Sequence, residues 1–289
     1  MSATIRNSLL LFILALITAC YEPVPGCLDV EAVNYDLEAD KNEASDCEYP
    51  KVRLALQHRY SKGDTIFRFG LADSVYFDAL GNPFRVNNVR FYISNFHLIY
   101  TNGQEKEMDE TVDILIPQPD GSELPRTIED NFSLASPRVT QNYTIGTLKE
   151  SGTLKEIRFA VGVEGLANLA DPTSFPETHP LFLQDSSLYF NQDSGYVFEY
   201  IELFRDTTAA DTIPQILRIG TDAYLKEVRL PIELEKSRGF HLLLTLQVDY
   251  SRWFGNINAR EDSPEELTEK IVANLAQSFS IVAAVLQSK

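Results

Sequence analysis

The chain is poor in the residues that carry covalent or metal chemistry. Its 289 residues include four histidines, three cysteines, two methionines and one tryptophan, Trp253. No Gly-x-Ser-x-Gly turn, Cys–His pairing or glycine-rich phosphate loop occurs, so an enzyme is not expected. Acid pairs such as Glu199 and Glu202 read as charges on the solvated face of a strand. Bases are also scarce, 25 against 42 acids, for a net charge of −17. Nucleic-acid phosphates would repel such a chain, which excludes them as partners. Helical repeats and long low-complexity runs are missing. Disorder is excluded as well, because 44% of the residues are hydrophobic.

The one long apolar run, "LLLFILALI", follows Arg6 and precedes "TAC". It is too short and too near the start for a spanning helix and reads as a secretory signal over residues 1–19. Ile17, Thr18 and Ala19 before Cys20 form a lipobox, so Cys20 is the expected lipidation site. Two or three acyl chains would hold the mature chain stably on a membrane. The chain is then expected to be a periplasmic or outer-membrane lipoprotein of 270 residues. With Cys20 acylated, Cys27 and Cys47 remain as one pair, and an exported compartment favours their disulfide.

Residues 20–50 form an acidic linker module. From Tyr21 to Pro50 there are nine acids and one base, Lys41. With so little to bury, the segment needs the cysteine staple. The pattern "GC-x-D-x-x-A-x-NYD … C-x-Y" resembles a short module common in exported bacterial surface proteins. Gly26, Cys27, Asp29, Ala32, Asn34, Tyr35, Asp36, Cys47 and Tyr49 carry it. Asp29, Asn34, Asp36, Asp40 and Asp46 offer oxygens to a hard cation such as calcium, although the spacing is not an EF-hand. A solvated spacer is the plainer expectation.

Residues 51–289 read as β almost throughout. Period-two alternation places Val52, Leu54, Leu56, His58 and Tyr60 on one face, and likewise Ile157, Phe159, Val161 and Val163. Leu242, Leu244, Leu246 and Val248 share a face further on. Pro231 marks an edge or a bulge in its strand. In "NNVRFYISNFHLIY" the apolar phase slips by one residue. A bulge at Ser94–Asn95 would let Phe91, Ile93, Phe96 and Leu98 all point inward. His97 then falls with Arg90 and Tyr92 on the opposite face, as a surface or inter-strand histidine. Ser263, Pro264, Glu265 and Glu266 open one helix, expected from Pro264 to about Gln277, with an apolar final stretch after it. The Pro-, Asp- and Ser-rich stretch 164–187 reads as a functional or lid-like loop.

"YISNFHL", "IRFAVGVEGLAN", "GYVF" and "IVAN" in this order resemble the MbnP-like family of exported proteins. The resemblance implies an antiparallel β-sandwich, periplasmic residence and copper and methanobactin handling. In related members copper is bound through histidines and a tryptophan oxidised to kynurenine by a partner di-haem enzyme. His58 matches the family histidine of the first strand. The remaining site elements do not match: Leu188, Phe190 and Gln192 replace a methionine and two tryptophans, and Arg218 replaces a histidine. A guanidinium beside His58 would repel a cation. Glu177 and His179 offer only a weak second pairing. The expectation is a non-catalytic binding or scaffold lipoprotein with a degenerate metal site and no cofactor. The alternative is a periplasmic copper-binding protein using His58.

Overall fold

The computed structural model describes residues 22–183, 185–207 and 213–288. The signal segment and Cys20 lie outside them. Nine main strands and two helices build the domain: β1 (Lys51–Lys62), β2 (Pro83–Tyr100), β3 (Asn142–Thr147), β4 (Gly152–Val161), β5 (Glu199–Phe204), β6 (Gln215–Ile219), β7 (Lys226–Lys236), β8 (His241–Asp249), α1 (Tyr250–Phe254), α2 (Pro264–Asn274) and β9 (Phe279–Gln287). One sheet runs β6-β5-β2-β4-β7 and the other β3-β1-β8-β9. Pairing is antiparallel except between β8 and β1, which run parallel.

The inward residues of both sheets, Val52, Leu54, Phe91, Phe159, Ile201, Leu244 and Val248 among them, form one dry core. Period-two alternation gives each strand a face to bury, and the sandwich is the layer arrangement that buries it. The first sheet is also covered on its other side. There Tyr92, Tyr196, Phe198 and Tyr200 meet Ile114, Ile116, Phe175 and Leu181 in a second apolar cluster. The hairpin of Thr111–Pro117 and Glu123–Glu129 supplies part of this cover. The rest comes from segment 164–188, which is no open lid. It packs Ala167, Ala170, Phe175, Leu181 and Leu188 into the cluster through short 3₁₀ turns. Such turns have no long period, so the sequence gives no sign of this packing.

The bulge in β2 is real. Asn95 takes φ 53°, and the register jumps from Arg158↔His97 to Ala160↔Ser94. Two residues of β2 therefore face one of β4, and Phe91, Ile93, Phe96 and Leu98 all enter the core. Pro231 lies both on an edge strand and at a register shift, so its missing N–H costs no ladder bond. Gly195 also serves the fold: at φ 70°, a Cβ there would come within 2.3 Å of Asn168 Oδ1. That close approach lets Asn168 Oδ1 accept from Tyr196 N at 2.9 Å.

α2 starts at a Ser263–Glu266 capping box and ends three residues before the expected Gln277. A 3₁₀ turn at Ala276–Ser278 then leads into β9. Leu267, Ile271 and Leu275 add to the inter-sheet core.

In the acidic module, Cys27 and Cys47 are bridged, with Cα atoms 5.0 Å apart. Closing a loop of this size is worth about 3 kcal/mol to the module in the chain-entropy model. The module docks on the β7–β8 turn, where Arg238 Nε meets Glu31 Oε1 at 3.0 Å. Replacing both cysteines with serine should open the module to limited proteolysis. The urea midpoint of the sandwich should stay in place, because the main core contains no module residue. A drop in that midpoint would show that the module and sandwich unfold as one unit.

Candidate functional site

His58 projects from β1 beneath the end of the sandwich. Burial and then the nearby Arg68 charge push its pKa down to about 4, so the ring is neutral near pH 7. Nδ1 lies 2.9 Å from Tyr250 Oη, whereas Nε2 is buried without a partner. The surroundings are aromatic: Tyr250 stacks on Phe69 at 4.0 Å, and Phe69 faces Tyr76 at 5.2 Å. An orphaned imidazole nitrogen is what a copper ligand would present. The donors around it do not complete a site, however: one phenol, aromatic faces and a guanidinium. Among the described residues, no three His, Cys, Asp or Glu side chains are grouped to hold a metal.

The positions matched to the family's other ligands lie elsewhere. Leu188 belongs to the outer cluster, and Gln192 is exposed. Arg218 is not beside His58, contrary to expectation. On β6 it pairs with Tyr200, which belongs to the outer cluster, and its Nη2 donates to Tyr189 O at 2.6 Å. Its guanidinium lies 4.7 Å over Phe190. The cation near His58 is Arg68. Trp253 is fully buried in the inter-sheet core, with Nε1 donating to Ser278 Oγ at 2.8 Å.

The other histidines are structural in their contacts. His179 accepts from Leu181 N through Nδ1 at 3.1 Å, so Nε2 carries the proton toward Asp130 Oδ1 at 3.0 Å. Glu177 is exposed and takes no part. His241 Nδ1 accepts from Lys51 N. The five oxygen donors of the module serve its turns instead of converging on a cation. Asp29 accepts from Glu31 N and Tyr49 Oη, Asp36 from Glu38 N, and Asp40 from Val24 N. Asn34 bridges Asp46 O and Glu48 N, and Asp46 Oδ1 accepts from Ser45 Oγ.

Two buried polar groups stand out, and one of them departs from the sequence reading. Glu199 does not lie on a solvated face: it is fully buried on the core side of β5, and neither carboxylate oxygen has a partner. Of the two readings of His97, surface or inter-strand, the structure gives the second: it is 3% exposed and paired across from Arg158. The short strand Glu105–Lys106 pairs with Leu98–Ile99 and covers it. Its Nδ1 lies 2.9 Å from Glu105 and 3.5 Å from Glu107, and its Nε2 2.5 Å from Asn95 Oδ1. Burial and Arg158 lower its pKa, while Glu107, Glu105 and Glu164 work against that shift. Sequence reasoning missed this polar network because residues far apart in the chain build it. Its one visible signal was the phase slip at Ser94–Asn95.

These features define a two-sheet all-β sandwich with a C-terminal helix and a single core-facing histidine. A family model matches residues 49–271, and the chain belongs to the MbnP family. The solved structure of MbnP from Methylosinus trichosporium is similar over 80% of this chain and 99% of that one, with 12% identity and a TM-score of 0.40. No curated protein sequence matches the chain.

Proposed function

We propose that this is an exported, lipid-anchored, non-catalytic binding or scaffold protein of the MbnP family that has lost the family's copper ligands. Family membership supports an exported, copper- and methanobactin-related setting. The observation that carries the reading is the isolation of His58. Its Nδ1 is taken by Tyr250, the nearest charge is a cation, and Arg218 is held on the opposite side of the first sheet. The enclosure of Trp253 by core side chains argues against its modification by a di-haem enzyme. Anchoring rests on Cys20 and its lipobox.

A second reading, copper bound through His58, draws support from the unpartnered Nε2. Copper loading, desalting and metal analysis separate the two. The expected result is well under one copper per chain, with an intact mass that shows Trp253 unmodified. Copper retained at one per chain, and lost on His58→Ala, would establish the second reading instead.

A further inference from the structure

A second cleft opens between the edges of the two sheets and does not involve His58. It has a volume of about 580 Å³, within the range of small-molecule sites. One wall is the hairpin formed by the end of β1 and the short strand Thr65–Arg68. The other wall is the strand Val75–Phe77, which pairs with Pro83–Arg85 of β2. Tyr60 stands opposite Phe67 in the hairpin register, and Lys62 follows Tyr60 by two residues. These three side chains therefore share one face of the hairpin. That face meets the second wall. Tyr60 lies 4.3 Å from Tyr76 by ring centroids, and Lys62 Nζ lies 5.4 Å from the centre of the Phe77 ring.

The walls select the ligand by shape and by charge. Phe67 and Phe77 are half exposed, so two large rings on facing strands leave apolar surface for a ligand to cover. Flat rings favour a flat occupant, which can lie offset or edge-on against them. The cations of the cleft are Lys62 and Arg68. Among the described residues neither has an acid partner, and Lys62 has only its contact with Phe77. Asp78 is the carboxylate of the lining, and both its oxygens are already used. Oδ1 accepts from Leu80 N and Asn82 N, and Oδ2 from Asn82 Nδ2 and Ala259 N. Nearby Asp249 is occupied as well, with Oδ1 accepting from Ser61 N and Ser251 N. A chain of net charge −17 thus leaves two unpaired cations at one aromatic cleft.

We infer that this cleft binds a small aromatic carboxylate, its ring held among Tyr60, Phe67 and Phe77 and its carboxylate by Lys62 Nζ. On binding, Lys62 gives up an exposed cation–π contact and gains a charge-assisted hydrogen bond. Arg68 adds a second positive charge at the rim.

Calorimetry on the purified protein at about pH 7, where a carboxylate is ionised, tests this with three probes. They are 1-naphthoate, 1-naphthalenemethanol as its neutral counterpart, and decahydro-1-naphthoate as its saturated one. Naphthoate should bind at millimolar concentration or below, and the other two more weakly. Lys62→Gln should weaken naphthoate about tenfold, the scale of one charge-assisted hydrogen bond, and leave the alcohol unchanged. Phe77→Ala should weaken both naphthyl probes, because it removes the ring and keeps the charge. Lys62 and Phe77 are both exposed and outside the core, so the variants keep the fold. Four results would each overturn the inference: no naphthoate binding, equal affinity for the alcohol, equal affinity for the saturated acid, or wild-type affinity in both variants.

Discussion

Replacing Trp253 with alanine should cost the fold about 3–5 kcal/mol, the range for deleting a large buried aromatic. The indole is fully buried at the end of the sandwich, 5.5 Å from Phe91 and 4.9 Å from Tyr250 by ring centroids. Its N–H also bonds Ser278 Oγ, which in turn donates to Leu275 O at 2.6 Å. The indole thus ties α1 to the turn after α2, and alanine would leave a cavity and remove the one donor to Ser278 Oγ, which keeps its own bond to Leu275 O. Trp253→Phe should cost less, because it keeps most of the volume and loses only the hydrogen bond. Urea unfolding of the three proteins gives the comparison. A loss below about 1 kcal/mol for the alanine variant would mean that this end of the core is loosely packed and collapses at little cost.

Replacing Glu199 should have the opposite sign. The side chain faces the inter-sheet core beside Ile201 and Leu203, with both oxygens unpaired. Burial holds its pKa well above the usual glutamate range, against a smaller opposing pull from Lys226. Folded protein therefore keeps a proton that the unfolded chain releases above its ordinary pKa. Stability is greatest below that unfolded value and falls as pH rises toward the folded one, by at most about 1.4 kcal/mol per pH unit for one proton. Glu199→Gln removes the titration, and Glu199→Leu removes the unsatisfied polar group as well. Both variants should be more stable than wild type at about pH 8, Leu by about 1–3 kcal/mol, the usual cost of an unpaired buried group. The gap should narrow near about pH 5. A variant less stable than wild type at the higher pH would mean that Glu199 has a compensating partner in solution.

Much of the strand pattern was legible. In β1, β2, β4 and β8 the alternation of apolar residues names the buried face, and the slip at Ser94–Asn95 names the bulge. Ser263, Pro264 and Glu266 mark the start of α2. The cluster around His97 was not legible. Nothing local marks Glu105, Glu107, Arg158 and Glu164 as partners, and only the pairing of the Glu105–Lys106 strand and of β4 with β2 brings them around His97. Glu199 misled in the same way: "EYIEL" gives it and Glu202 similar neighbours, yet they point to opposite faces of β5. The parity was available, but nothing local said that a second apolar layer covers the outward side.

What the sequence determined by itself is local and periodic. Side chains alternate every two residues along a strand, so composition along a strand reports which residues share a face. The spacing of caps and of Cys27 and Cys47 likewise acts over short stretches of chain. The tertiary structure alone decided which faces meet: the parallel pairing of β8 with β1, the burial of His97 and Glu199, and the placement of Arg218 far from His58. These depend on strand order and on how loops cross the outer sheet. Residues about a hundred positions apart can become neighbours there without leaving any period in the sequence.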